Sequence, residues 1–166
     1  VRPDGTGDFP TIQAAINMVA VGDTIALADG VFTGEGNRDL DYLGKAIVIR
    51  GQSGDPDLAV IDCQGTAEEP HRAFHFHSGE TQYAVLRDVT ITGGEAAADG
   101  GAILCESSPV ITNVVFDHNG ANRGGAIFVQ GGEPQISGCT FTENRGDARA
   151  GGIALFGSEA TIRDCV

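Results

Sequence analysis

Short runs in which apolar residues alternate with variable ones recur through the second half of this chain. Gly101-Ala102-Ile103-Leu104-Cys105-Glu106 returns as Gly125-Ala126-Ile127-Phe128-Val129-Gln130, and again as Gly151-Gly152-Ile153-Ala154-Leu155-Phe156. Each copy leads into a second run, at 110–116, 135–141 and 161–166. Ile103, Ile127 and Ile153 are 24 and 26 residues apart, and Ile111, Ile136 and Ile162 are 25 and 26 apart. A period of two within a run marks a strand. A repeat of this length marks a solenoid, because one unit is too short to bury its own apolar face and must stack on its neighbours. The inward columns are then Phe74, Ile103, Ile127, Ile153 and Phe76, Cys105, Val129, Leu155 on the first run. On the second they are Leu86, Ile111, Ile136, Ile162; Val89, Val114, Cys139, Cys165; and Ile91, Phe116, Phe141.

The period changes near the start of the chain. Ile12, Ala15, Ile16 and Val19 form one stripe at helical spacing, with Asp8 as expected N-cap, Pro10 in the first turn and Gly22 as the stop. A lone amphipathic helix before a row of strands is suited to covering the first coil, whose open edge would otherwise template aggregation. Strands are expected at 24–28, 46–50 and 59–63, with Asp29-Gly30 as a turn and Gly34 to Asp41 as a polar excursion. Residues 1–22 therefore read as leader and capping helix, and 23–166 as coils of an all-β, single-stranded parallel solenoid. Asn119 and Asn144 each follow a core Phe by three residues, where asparagine suits a left-handed corner and can share side-chain hydrogen bonds along a stack.

Composition narrows the function classes. The formal charge is −13 in 166 residues, which argues against nucleic acid as a partner. No apolar run reaches the roughly 20 residues of a membrane span, so membrane insertion by this segment is not expected. Cys63, Cys105, Cys139 and Cys165 form no CxxC pair and read as buried thiols.

The Phe-x-x-Asn elements Phe116 to Asn119 and Phe141 to Asn144, with Gly-Gly-Ala-Ile at 100–103 and 124–127, resemble the repeats of polymorphic outer-membrane proteins. The opening from Asp4 to Ile16 is similar to the capped start of pectate-lyase and pectinesterase-type β-helices. The resemblance implies a right-handed parallel β-helix, secreted or at the cell surface. It implies less about activity, because this fold carries lyases, esterases, hydrolases, adhesins and passive stalks.

Chemistry belongs on outward positions. His75 and His77 alternate with Phe74 and Phe76, and Glu106 follows His77 one coil on, with Arg72 just before the strand. In the lyases of this fold an arginine or histidine abstracts the proton α to a uronate carboxylate, often with calcium as the neutralising ion, so His75, His77, Glu106 and Arg72 are the candidate catalytic set. Asp39 and Asp41, with Asp55 and Asp57, are acidic loop pairs and the candidate calcium ligands. Asp117-His118 reads as a polar corner. No complete acid–base constellation, pectinesterase-like aspartate pair or polygalacturonase-like series is present. The leading expectation is thus a non-catalytic module for adhesion, carbohydrate contact or spacing, against a lyase acting on acidic polysaccharide and a self-stacking assembly module. Ile153, Leu155, Ile162 and Cys165 fall on an incomplete last coil, whose bare edge is expected to pair two copies end to end as a homodimer.

Overall fold

Like residues stack on like residues through the whole repeat. In the computed structural model, which describes residues 1–166, Ile103 pairs with Ile127 and Ile127 with Ile153, all in parallel. Phe74 heads the same column by pairing with Ile103. Ile49, Leu86, Ile111, Ile136 and Ile162 form an unbroken second column. Ile61, Ile91, Phe116 and Phe141 form a third. The result is a parallel β-solenoid of about six turns, with one apolar cluster running along its axis. The Phe116 and Phe141 rings stack at 5.0 Å, close to the strand spacing that sets the rise per coil. Ile127→Ala, deep in this cluster, is expected to lose about 2–5 kcal/mol. Thr112→Ala, whose outward hydroxyl meets only that of Ser137, should lose about 0.5 kcal/mol or less. Equal losses in urea melts would show that the two faces have been exchanged.

Each coil has three faces. Phe74–Phe76, Ile103–Cys105, Ile127–Gln130 and Ile153–Phe156 form one sheet. The eight-residue strands Val85–Thr92 and Val110–Asp117 serve two further strand stacks in one larger sheet. A third sheet, Glu95–Asp99, Gly120–Arg123 and Arg145–Arg149, was not expected from the pattern. Its inward residues are the small Ala96 and Ala121, so no large apolar column announces it. Outside, Arg123 makes a bidentate pair with Asp99 at 2.6 and 2.7 Å, and Arg145 bonds Glu95 at 2.6 Å.

The asparagine corners correct the expected reason for those residues. The left-handed residue is the one before each asparagine, His118 at φ 53° and Glu143 at φ 51°. The asparagines are acceptors and donors instead. Asn119, 1% exposed, accepts from the Gly94 N–H at 2.9 Å and donates to the Ile91 carbonyl and to Asn144 Oδ1, both at 3.0 Å. Asn144 repeats the pattern one coil on, donating to the Phe116 carbonyl at 2.8 Å.

The helix covers the first coil as expected, but its ends are held differently. It spans Ile12–Met18 and is capped by Thr11, whose hydroxyl accepts from the Ala14 N–H, rather than by Asp8. The threonine has the extended backbone of an N-cap and lies directly before the first helical residue; Asp8 is too far upstream. Val19 rather than Gly22 closes it. The excursion from Gly34 clasps both ends. Asn37 Oδ1 accepts from the Ile12 N–H, and Lys45 Nζ donates to the carbonyls of Ile16, Asn17 and Val19. A cation on C-terminal carbonyls satisfies orphan acceptors and opposes the negative end of the helix dipole. The excursion is no free loop, because Leu40 is buried and bridges to Phe74. Gly30 likewise opens a short strand, Gly30–Phe32, in place of the expected turn. No helix is long and apolar enough to cross a membrane.

Candidate functional site

The strand Phe74–Phe76 turns its phenylalanines into the core, which leaves His75 and His77 facing outward. Their rings lie 4.1 Å apart between centroids. The excursion that clasps the helix passes on one side of this strand and Ile103–Cys105 on the other. Carboxylates from both neighbours reach in. His75 Nε2 is 2.9 Å from Glu106 Oε2, and His77 Nε2 is 3.3 Å from Asp41 Oδ2. His77 and Glu106 line one groove, but the bonds run diagonally, and Glu106 meets His75 through one oxygen, Oε2. Beside them His71 Nδ1 is 2.6 Å from Asp39 Oδ2, whose other oxygen accepts from the Arg72 N–H at 3.1 Å.

Arg72 lies near the face but is tied down. Its guanidinium donates to the Asp99 carbonyl at 3.0 Å. Burial pushes it below its ordinary value, while the Asp39 and Asp99 charges act in the opposite direction. Asp39 and Asp41 thus serve histidines and do not join Asp55 and Asp57. Those two form a local turn elsewhere, with the Asp57 N–H donating to Asp55 Oδ1 at 3.1 Å. No three histidine, cysteine or carboxylate side chains converge as a metal-ligand set. His118, at its corner, sits between Asp117 at 2.9 Å and Glu143 at 2.7 Å. The hydrogen bond and charge of Asp117, reinforced by Glu143, raise its pKa above the ordinary histidine value.

The cysteines are four free thiols. Burial pushes Cys105 and Cys139 up to about 12, which keeps them protonated and unreactive at neutral pH. Ile153 and Cys165 are half-buried on the last coil, and Leu155 and Ile162 are 45% and 42% exposed there.

The largest concavity begins at His77 and runs along the solenoid axis, across the turns of three successive coils. It is an open groove of about 690 Å³. Gly79 to Tyr83 form one wall, Ser107 and Ser108 the middle, and Gly132, Glu133 and Gln135 the far side. Backbone-directed hydrogen bonds stack these turns: Ser108 N–H donates to the Glu80 carbonyl, and Glu133 N–H to Ser108 Oγ. Glu80 is 2% exposed, its carboxylate accepting from the Gly44 and Ser78 N–H groups, each at 3.0 Å. Tyr83 stands at the rim, 67% exposed, and is the groove's one phenyl-type ring. The pattern of strand positions gave no signal for Tyr83, since an isolated surface aromatic between two strands belongs to no column.

Neither the curated proteins nor the solved structures contain a match to this chain. The family described as a right-handed beta helix region matches residues 42–166, which is most of the chain, and the protein belongs to that family.

Proposed function

We propose that this chain is a non-catalytic, extracellular or cell-surface β-helix module that contacts carbohydrate through the groove at Tyr83. The carrying observation is the groove itself: polar, open, and rimmed by an exposed tyrosine that has no packing role. Sugars present hydroxyls and flat C–H faces together. Hydroxyl and amide side chains such as Ser108, Gln82 and Gln135 suit the first, and an exposed aromatic face suits the second. The groove follows the solenoid axis, so an extended oligosaccharide can meet equivalent turn groups about every 4.8 Å.

Two features favour binding over turnover. Each outward histidine of the 71–77 face is held by a carboxylate, and Arg72 is anchored to a carbonyl. Glu106, which contacts His75, and His77 both line the groove, and this is the geometry shared with a lyase reading. The experiment is a panel of neutral, amine-bearing and uronate oligosaccharides, followed by NMR shifts and by ultraviolet absorbance of unsaturated uronate, with and without calcium. Binding that perturbs Tyr83 without turnover is expected. Unsaturated product abolished by His77→Ala would establish the lyase instead, and no binding to any oligosaccharide would end the carbohydrate reading.

A further inference from the structure

The charge of the groove selects among carbohydrates. Of its twelve lining residues none is lysine or arginine, whereas Glu80, Glu106 and Glu133 are all carboxylates. Glu80 is buried under the floor with backbone N–H partners and no cation against it. Glu106 and Glu133 are exposed on successive turns, and the one side chain bonded to the Glu106 carboxylate is His75. His77, the one lining group able to carry a positive charge, is already beside Asp41. The whole chain, at −13, adds to the same negative field.

From this arrangement we propose that the groove takes an amine-bearing, positively charged oligosaccharide, a glucosamine-type chain, and rejects uronates. The inference rests on the carbohydrate reading above and adds the sign of the ligand's charge. Tyr83 offers its ring face both to a sugar ring and to an ammonium group. Glu106 and Glu133 offer carboxylate oxygens on neighbouring coils, so successive amines of an extended chain can each find one. A uronate entering the same space would bring its carboxylate against three others with no counter-cation.

The test is calorimetric titration of the 166-residue chain with a glucosamine tetramer, its N-acetylated counterpart and a galacturonate tetramer, at low and high salt. The glucosamine tetramer is expected to bind about two- to fivefold tighter than the acetylated one, as one exposed ion pair supplies. Its advantage should shrink as salt rises. Glu133→Gln should narrow the gap, Tyr83→Ala should weaken both sugars, and Tyr83→Phe should retain binding. Both substituted residues, Glu133 and Tyr83, are exposed, and thermal melts would confirm that the variants fold. Equal affinity for the free and acetylated amines overturns the proposed charge selection but leaves carbohydrate contact standing. Preferred binding of galacturonate overturns it outright. Binding of no tetramer removes the carbohydrate reading and the inference with it.

Discussion

Asn119→Leu is expected to lower stability by about 2–6 kcal/mol, among the largest single-side-chain effects in the coil stack. Leucine is close to asparagine in volume, so the change removes hydrogen bonds more than it alters packing. The lost amide contacted the Gly94 N–H, the Ile91 carbonyl and Asn144 Oδ1, as well as the Asp117 carbonyl of its own coil at 3.2 Å; of these, Asn144 Oδ1 keeps the backbone N–H of residue 119. The first two belong to the preceding coil and the third to the following one, so one amide bridges three successive coils. At 1% exposure no water reaches the site to replace it. An unsatisfied buried polar group costs about 1–3 kcal/mol, and a domain's total stability is only about 5–15 kcal/mol. Urea melts at constant m value provide the measurement. Asn119→Asp separates the roles, since it keeps the acceptor for Gly94 and loses every donation from Nδ2, to Ile91, Asp117 and Asn144. A loss below about 1 kcal/mol for Asn119→Leu would mean that the ladder carries little of the stacking energy.

The parts of this fold that were legible in the sequence share one property, which is size. Ile103, Ile127 and Ile153, or Phe116 and Phe141, are large, apolar and equally spaced, so their columns are visible before any coordinates. The third sheet was hidden because Ala96 and Ala121 are all the narrow corner can hold. The clasp on the helix was hidden for another reason. Asn37 meets Ile12 across 25 residues, and Lys45 meets Ile16 across 29. Such contacts carry no local period, and an asparagine or lysine in a polar stretch reads as solvated until the chain is folded back.

The outward face was legible in part. Alternation with Phe74 and Phe76 put His75 and His77 outside, and stacking put Glu106 nearby. Asp39 and Asp41 were read with Asp55 and Asp57 as cation loops, whereas they flank the buried Leu40 and so project beside the histidines of the next coil. The same alternation rule would have placed them, had Leu40 been recognised as the inward residue of a short strand within a charged segment. The groove was least legible of all. It is built from turns, and turns keep their place in the repeat while changing their side chains, so Gln82, Tyr83 and Glu133 follow no column.

Gly101→Ala is expected to cost more than any surface change, about 3 kcal/mol or more, although it adds a single methyl group. A Cβ at Gly101 would lie 2.3 Å from the carbonyl oxygens of both Gly120 and Gly125. Neither is the movable end of a side chain; both are backbone, Gly120 in the third sheet and Gly125 in the bend after it, whose N–H is bonded to the Ala150 carbonyl. Gly94 has the same difficulty, with the Gly101 oxygen at 2.3 Å. Gly101, Gly125 and Gly151, one in each repeat, therefore mark the apex where the third sheet folds back onto the first, too tight there for a side chain. Gly131 is the control, because it has φ +71° but nothing within 4 Å of its would-be Cβ. Gly131→Ala should cost only about 1–2 kcal/mol, the penalty of a left-handed alanine. The two substitutions separate the two physical reasons for a glycine, close backbone approach and backbone conformation. Matched urea melts decide between them: if Gly131→Ala proves as damaging as Gly101→Ala, the apex is looser than these distances require, and conformation rather than crowding accounts for the repeat glycines.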